Sequence, residues 1–315
     1  YDYPEQGDDV ISAIALPYLF AINDRGEQLW NRELNAENEI DRFFYKIITF
    51  NNQALIFGTN YSTRFCLVKI TSNNILNALN DIEVDHGMNV VQFTPDTNLL
   101  IASGTRYKIT KMNLLGQYIW SSDYGTYLHD NHFGDEIRSF IQDDKGNIYI
   151  TGRHYGDGHG TDDYSNADIL TIKYDKNGNQ LWHNRYEFET NNADIANTIS
   201  LKNGFVYVAG ESQSEGFVHD YDFVVLKLDS VTGENHGIYR YKGSGGGDDA
   251  VSSISVFDNG SVALTGLCFS DGCYNWSTQK LSDVITTSYP SNQIKEIALY
   301  PNPIQEGEVL TINNS

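Results

Sequence analysis

No stretch of the sequence is long and apolar enough to span a bilayer; the longest apolar pieces, such as 54-ALIFG-58, are strand-sized. Basic residues are half as many as acidic ones, 21 Lys and Arg against 42 Asp and Glu, for a formal charge of −21. That balance argues against nucleic acid and anionic membrane surfaces as partners, because binding phosphates takes basic patches. It favours solubility and attraction of cations and does not bear on fold. Cysteine is scarce, at three. Cys66, inside 65-FCLV-68, has the setting of a buried strand residue. Cys268 and Cys273 flank the turn 270-SDG-272. Two cysteines alone do not make a zinc site, so the expectation is a small disulfide loop formed in an oxidising compartment. The opening Tyr1-Asp2-Tyr3-Pro4 is polar and has no initiator methionine, which fits either a processed, mature chain or an excised expression fragment.

Short catalytic motifs are also missing. The sequence holds no G-x-S-x-G elbow, no H-E-x-x-H and no P-loop. The run 243-GSGGGDD-249 leads into a strand and so lacks the helix N-terminus that cradles phosphate. Asp162 and Asp163 are adjacent in the chain, which does not set them at a glycosidase spacing. No apolar period of 3.6 residues is sustained, whereas alternation such as 169-ILTIKY-174 and 205-FVYVAG-210 recurs. Strands are therefore expected throughout, and 21 Tyr and 15 Phe supply rings suited to packing between sheets.

What the chain does have is a repeat. The segments 135-DEIRSFIQDDKGNIYITG-152, 194-DIANTISLKNGFVYVAG-210 and 248-DDAVSSISVFDNGSVALTG-266 share an acidic start, an apolar strand, a Gly turn and a second strand ending in Gly. Looser copies run over 41–58 and 87–104. A second signature follows the first: a strand, a turn, then a Trp four residues after a Gly, as in Gly26/Trp30, Gly116/Trp120 and Gly178/Trp182. The terminal Gly58, Gly104, Gly152, Gly210 and Gly266 recur at intervals of 46, 48, 58 and 56 residues. Four strands at that period specify an all-β chain, a β-propeller of four-stranded antiparallel blades. The opening 7-GDDVISAIAL-16 matches 247-GDDAVSSISV-256 and starts a sixth unit, which reaches its Trp too early for three full strands. Six blades is the expectation, with seven the alternative. The propeller is assigned to residues 1–289. The recurrent Trp residues are expected to wedge between blades, and the acidic starts to hydrogen-bond turns or cap loops.

The pattern over 135–182 resembles the seven-bladed-propeller repeats of bacterial secreted and surface proteins, and more distantly quinoprotein-type repeats through its Gly-to-Trp spacing. The resemblance covers most of residues 8–285 and implies fold more than function. Asp229-Ser230-Val231 resembles the D-S/T-aliphatic O-glycosylation acceptor of Bacteroidota, which would make Ser230 a glycan carrier.

In a propeller, first-to-second and third-to-fourth turns share one face, while second-to-third loops and blade links share the other. On the first face the turns are short, such as 143-DDKG-146 and 175-DKNG-178; on the second the loops are long, such as 152–168 and 210–222. Long loops on a rigid scaffold are where binding usually sits. That face would gather His154, Tyr155, His159, Tyr164, His219 and Tyr221 as ligand-binding residues, together with His86, His129, His132, Asp220 and Asp222. Asp157, Asp162, Asp163 and Asp168 are candidate Ca²⁺ ligands, since calcium takes several oxygens from flexible loops. The plainer account is that polar residues populate any solvated loop.

The tail differs in kind. After a linker at 289-YPSN-292, Leu299-Tyr300-Pro301-Asn302-Pro303 and the strand-like 308-EVLTINN-314 resemble the start of the C-terminal sorting domain of type IX secretion cargo. Residues 290–315 are assigned to that linker and domain. The family's domain continues for further strands, which this sequence does not contain. The resemblance implies export across the outer membrane, the type IX machinery as a partner, and a secreted or cell-surface location. The expected role is binding, adhesive or structural, with an extracellular glycan or surface protein as partner and no membrane span. The alternative is a secreted polysaccharide-active hydrolase or lyase working from the long-loop face.

Overall fold

The computed structural model describes residues 18–22, 25, 27–33, 42–50, 53–60, 64–71, 74–83, 90–103, 107–113, 117–124, 135–155, 167–188, 192–214, 220–241, 247–270 and 272–282. All described regular structure is strand. The chain divides into two compact units, residues 1–84 and 85–315.

The first unit pairs β1 (Tyr18–Ile22) with β2 (Gln28–Glu33). It continues with a four-stranded meander of β3 (Arg42–Phe50), β4 (Gln53–Asn60), β5 (Arg64–Thr71) and β6 (Asn74–Glu83). The register slips between Phe44 and Lys46, opposite Gly58.

The second unit repeats that meander. Its first sheet is β7 (Val90–Phe93), β8 (Leu99–Ser103), β9 (Lys108–Met112) and β10 (Tyr118–Ser122). Next come β11 (Glu136–Gln142), β12 (Ile148–His154), β13 (Asp168–Tyr174) and β14 (Gln180–Tyr186). A third sheet holds β15 (Asp194–Lys202), β16 (Phe205–Gln213), β17 (Tyr221–Asp229) and β18 (Asn235–Tyr241). The last has three strands, β19 (Ala250–Val256), β20 (Val262–Ser270) and β21 (Cys273–Leu281). Every pairing is antiparallel and sequential, and the first strands β11, β15 and β19 lie side by side. These are propeller blades.

The strands follow from the residues. Second and third strands sit mid-sheet with both faces covered, so β13 is buried at all seven positions and β8 at all five. Fourth strands form outer edges, and Tyr118, Ile119 and Leu181 stay exposed there. Apolar cores fill the gaps between consecutive sheets: Leu100 and Ile109 pack with Ile150 and Leu170, and Ile169 and Trp182 with Val206 and Val208. Each such side chain contributes about 1.5–3 kcal/mol by leaving water.

The short turns are built by aspartate. The Asp175 carboxylate accepts the N–H groups of Asn177 and Asn179 at 2.8 and 2.9 Å, and Gly178 takes φ +86°. Asp143 does the same for Lys145 and Asn147 ahead of its own strand. A non-glycine residue in that left-handed conformation is disfavoured, which explains the Gly of each turn.

The recurrent tryptophans join blade to blade. Trp120 Nε1 donates to the Lys176 carbonyl at 3.2 Å, and Trp182 Nε1 to the Ser230 carbonyl at 3.3 Å. Each ring lies over a turn glycine of the following sheet, Gly178 or Gly233, where a Cβ would come within 2.7 Å of it. Trp276, on β21, is instead 60% exposed.

Candidate functional site

The acidic starts of the first strands hold the long-loop ends in place. Asp135 Oδ1 accepts the Tyr155 N–H at 3.0 Å, and Asp249 Oδ1 accepts the Phe269 N–H at 2.7 Å, both spanning twenty residues. In the sheet between, Asp194 stands at that place; its carboxylate accepts the Phe188 N–H at 2.7 Å and the Ser212 hydroxyl, and the Gln213 side chain accepts the neighbouring Ala193 N–H at 3.0 Å.

Just inside those clamps each first strand carries a β-bulge. The register slips between Ile137 and Ser139, Ala196 and Thr198, and Val251 and Ser253. Arg138, Asn197 and Ser252 are the extra residues. The facing positions are Gly152, Gly210 and Gly266, where a Cβ would sit only 1.8, 1.9 and 2.1 Å from a first-strand carbonyl oxygen. Bulges re-aim side chains and are frequent beside functional sites.

Here the bulges set a polar cluster. Arg138 Nη1 donates to Asn197 Oδ1, and Asn197 Nδ2 donates to the Val251 carbonyl at 3.0 Å, so a chain of contacts crosses three adjoining first strands. Glu136 Oε2 engages both Arg138 Nε at 3.2 Å and Arg153 Nε at 2.9 Å. Glu211 Oε1 lies 3.7 Å from Arg138 Nη1. The Arg153 guanidinium stands 5.5 Å from the centroid of the Tyr155 ring. Burial pushes the Glu211 carboxyl up; Arg138 opposes that and nearby Asp248 adds to it. The Tyr221 phenol is pushed up to about 12 by burial, then by Glu211 and Asp248. All of these side chains are half-buried.

Both guanidiniums are tied to Glu136, so an anionic ligand would have to displace it. Three carboxylates stand against two arginines. The arrangement suits hydroxyl-rich or cationic groups better than anions.

Of the residues expected from sequence, Tyr155 and Tyr221 join this cluster. His154 sits apart, its Nδ1 2.9 Å from Asp135 Oδ2 and its ring edge-on to Tyr107 and Tyr124 at 6.3 and 5.8 Å. Asp168 is bonded to Arg185, and burial raises its carboxyl despite that partner. Asp222 is paired with Arg240 at 3.1 Å. Ser230 lies in the turn after β17, with Val231 exposed beside it. His159, Tyr164, His219, Asp157, Asp162, Asp163, Leu299, Tyr300, Pro301, Asn302 and Pro303 lie outside the described residues, as do His86, His129 and His132. Among the described residues, no three His, Cys, Asp or Glu side chains converge as a metal site.

The expected disulfide is a correction. Cys268 and Cys273 are both free thiols, one buried and one exposed. In the β20–β21 hairpin Ser270 faces Cys273 and Cys268 faces Asn275. The two cysteines are thus diagonal neighbours, about 7–8 Å apart by ordinary sheet geometry, where a disulfide needs directly facing Cβ atoms.

Sequence reasoning missed Glu136, Arg138, Arg153 and Glu211. A signal was available: Arg153 and Glu211 each follow the terminal Gly of a repeat, opposite the bulge.

No protein-family model matches the chain, and no curated protein matches its sequence. Among solved structures it is similar to a protein of unknown function from Bacteroides caccae, at 17% identity over 78% of each chain, TM-score 0.43. It is similar to BamB from Moraxella catarrhalis at 13% identity, over 80% of this chain and 76% of that one, TM-score 0.41. It is also similar to YCF48 bound to D1 peptide, at 11% identity over 79% and 70%, TM-score 0.45. Likeness at this level says nothing on ligand or activity.

Proposed function

We propose that this chain is a secreted or cell-surface propeller protein with a binding or adhesive role, holding an extracellular glycan or surface protein at its long-loop end. The observation that carries the reading is the Glu136–Arg138–Arg153–Glu211 cluster, flanked by Tyr155 and Tyr221, at the bulged ends of adjoining first strands. Export by the type IX route, with residues 290–315 as linker and start of a sorting domain, is supported by the Leu299–Pro303 resemblance and by the acidic composition. The described residues form six sheets, which supports six blades. Calcium at the 157–163 loop and O-glycosylation of Ser230 belong to the same proposal; chelation and intact mass test them separately.

The central test is retention of the purified chain on immobilised neutral xylan, mannan and galactan, on chitosan, and on polygalacturonate. Binding to a neutral or cationic polymer, weakened about tenfold or more by Glu211→Ala, supports the site. No retention on any polymer, with no partner co-purifying from the cell surface, sinks the glycan and surface-protein reading.

One observation favours a second reading as a polysaccharide-active enzyme. Two carboxylates, Glu136 and Glu211, share Arg138, and burial holds Glu211 towards its protonated form, as a general acid requires. Release of reducing ends from a polymer, abolished by Glu211→Gln, would decide for it.

A further inference from the structure

Among the described residues the last sheet of the second unit has three strands, where the three sheets before it have four. Its third strand, β21, therefore stands at an edge. The other third strands of the unit each pair with a fourth and are covered: β13 is buried at all seven positions, and β9 at all but its first. β21 is instead exposed throughout Cys273–Trp276, with Tyr274 57% and Trp276 60% exposed. Pairing with β20 sets Tyr274 opposite Phe269 and Trp276 opposite Leu267, so both rings stand on one face of the sheet with Thr278 and Lys280. An edge strand that presents free ladder groups beside large apolar side chains is a template for one more strand, and folded chains cover such edges.

We propose that residues 284-VITTSY-289 are the strand that docks on this edge, antiparallel to β21, and complete the last blade. This segment lies outside the described residues and follows the end of β21 directly in the chain. Val284, Ile285, Thr286 and Thr287 are all β-branched, the residue type that suits strands. Pro290 has no N–H to give a ladder and stops the run. The six residues left fall between the five of β10 and the seven of β14 and β18. Ser282 and Asp283 supply the reversal, and two residues suffice for one: β5 and β6 are also two apart, with Thr71 opposite Asn74. The same register sets Leu281 opposite Val284, Lys280 opposite Ile285 and Trp276 opposite Tyr289, an aromatic pair across strands. A second copy of the chain has to reach the edge from solution, whereas 284–289 is tethered two residues from it and so has the higher effective concentration. The tail from Pro290 onwards then leaves the fold from a completed blade.

The experiment is amide exchange on the full chain, wild type against a double variant carrying Ile285→Pro and Thr286→Pro, which removes the donor from whichever of the two faces β21. In wild type the alternate N–H groups of Tyr274–Lys280 that point away from β20 are protected, equally at low and high protein concentration. In the variant their protection falls about tenfold or more, while that of β13 is unchanged. Free exchange of these groups in wild type overturns the proposal. So does protection that rises with concentration, the mark of a second copy on the edge, or protection that survives the prolines, the mark of another segment there. Should the variant not fold, exchange within 284–289 of wild type is the test: the docked strand requires alternate protected N–H groups, and uniformly free ones overturn it.

Discussion

Gly152 faces the bulge of β11 so closely that a Cβ on it would stand 1.8 Å from the Glu136 carbonyl oxygen. The same holds for Gly210 and Gly266 against Ile195 and Ala250. Gly152→Ala must therefore displace backbone, and is expected to cost about 3 kcal/mol, the upper end of overpacking. Gly204→Ala meets nothing within 4 Å and suffers only from its φ of +80°, about 1–2 kcal/mol. Urea unfolding of the two variants checks the order; equal losses would show that the bulge does not require its glycine.

Trp182 and Gly233 form one contact between sheets, so their substitutions should not add. Trp182→Ala empties a buried site and is expected to lose about 3–5 kcal/mol. Gly233→Ala drives a methyl to within 2.7 Å of the ring. In the double variant the steric part of the second loss vanishes, leaving only the cost of the positive φ. A double-mutant cycle measures this, and strict additivity would contradict the contact.

Asp249→Ala strands the Phe269 N–H at the end of β20 and is expected to cost about 1–3 kcal/mol. Asp249→Asn keeps an acceptor oxygen and should recover much of that. Equal losses in both variants would mean that charge, and not the clamp, is what this position supplies.

Asp96 gives the fold a dependence on low pH. Burial opposes its charge, but hydrogen bonds from Lys111, Thr94 and Asn98 outweigh it and hold the carboxyl at about 2. A depressed carboxylate stabilises the fold above its unfolded value, and the contribution is lost as pH falls from about 4 towards 2. Wild type should thus lose its melting-temperature advantage over Asp96→Asn across that window. The carboxylate is 57% exposed and screened by water, so the change in melting temperature is small.

Much of the repeat was legible because its causes are local. Asp143 and Asp175 build their own turns, strand alternation marks the covered faces, and the positive-φ glycines announce reversals. The candidate site was less so. Tyr155 and Tyr221 stood out as aromatics in long loops, while Arg138 looked like one more polar residue in a strand. Only the bulge turns it towards Asn197 and Glu211, 59 and 73 residues further along the chain.

The Gly-to-Trp spacing marks the boundary between the two kinds of information. The amino-acid order alone determined that glycine and tryptophan recur four residues apart, and hence that blades repeat. That Gly178 lies under Trp120 and not under its own Trp182 was decided by the stacking of one sheet on the next. Likewise the terminal glycines were countable in the sequence, but their cause, a carbonyl of the facing strand filling the space of a side chain, exists only once the bulged strands pair. Local turn chemistry is written residue by residue; contacts between sheets depend on register and packing, which bring distant residues together and leave Cys268 and Cys273 diagonal to one another.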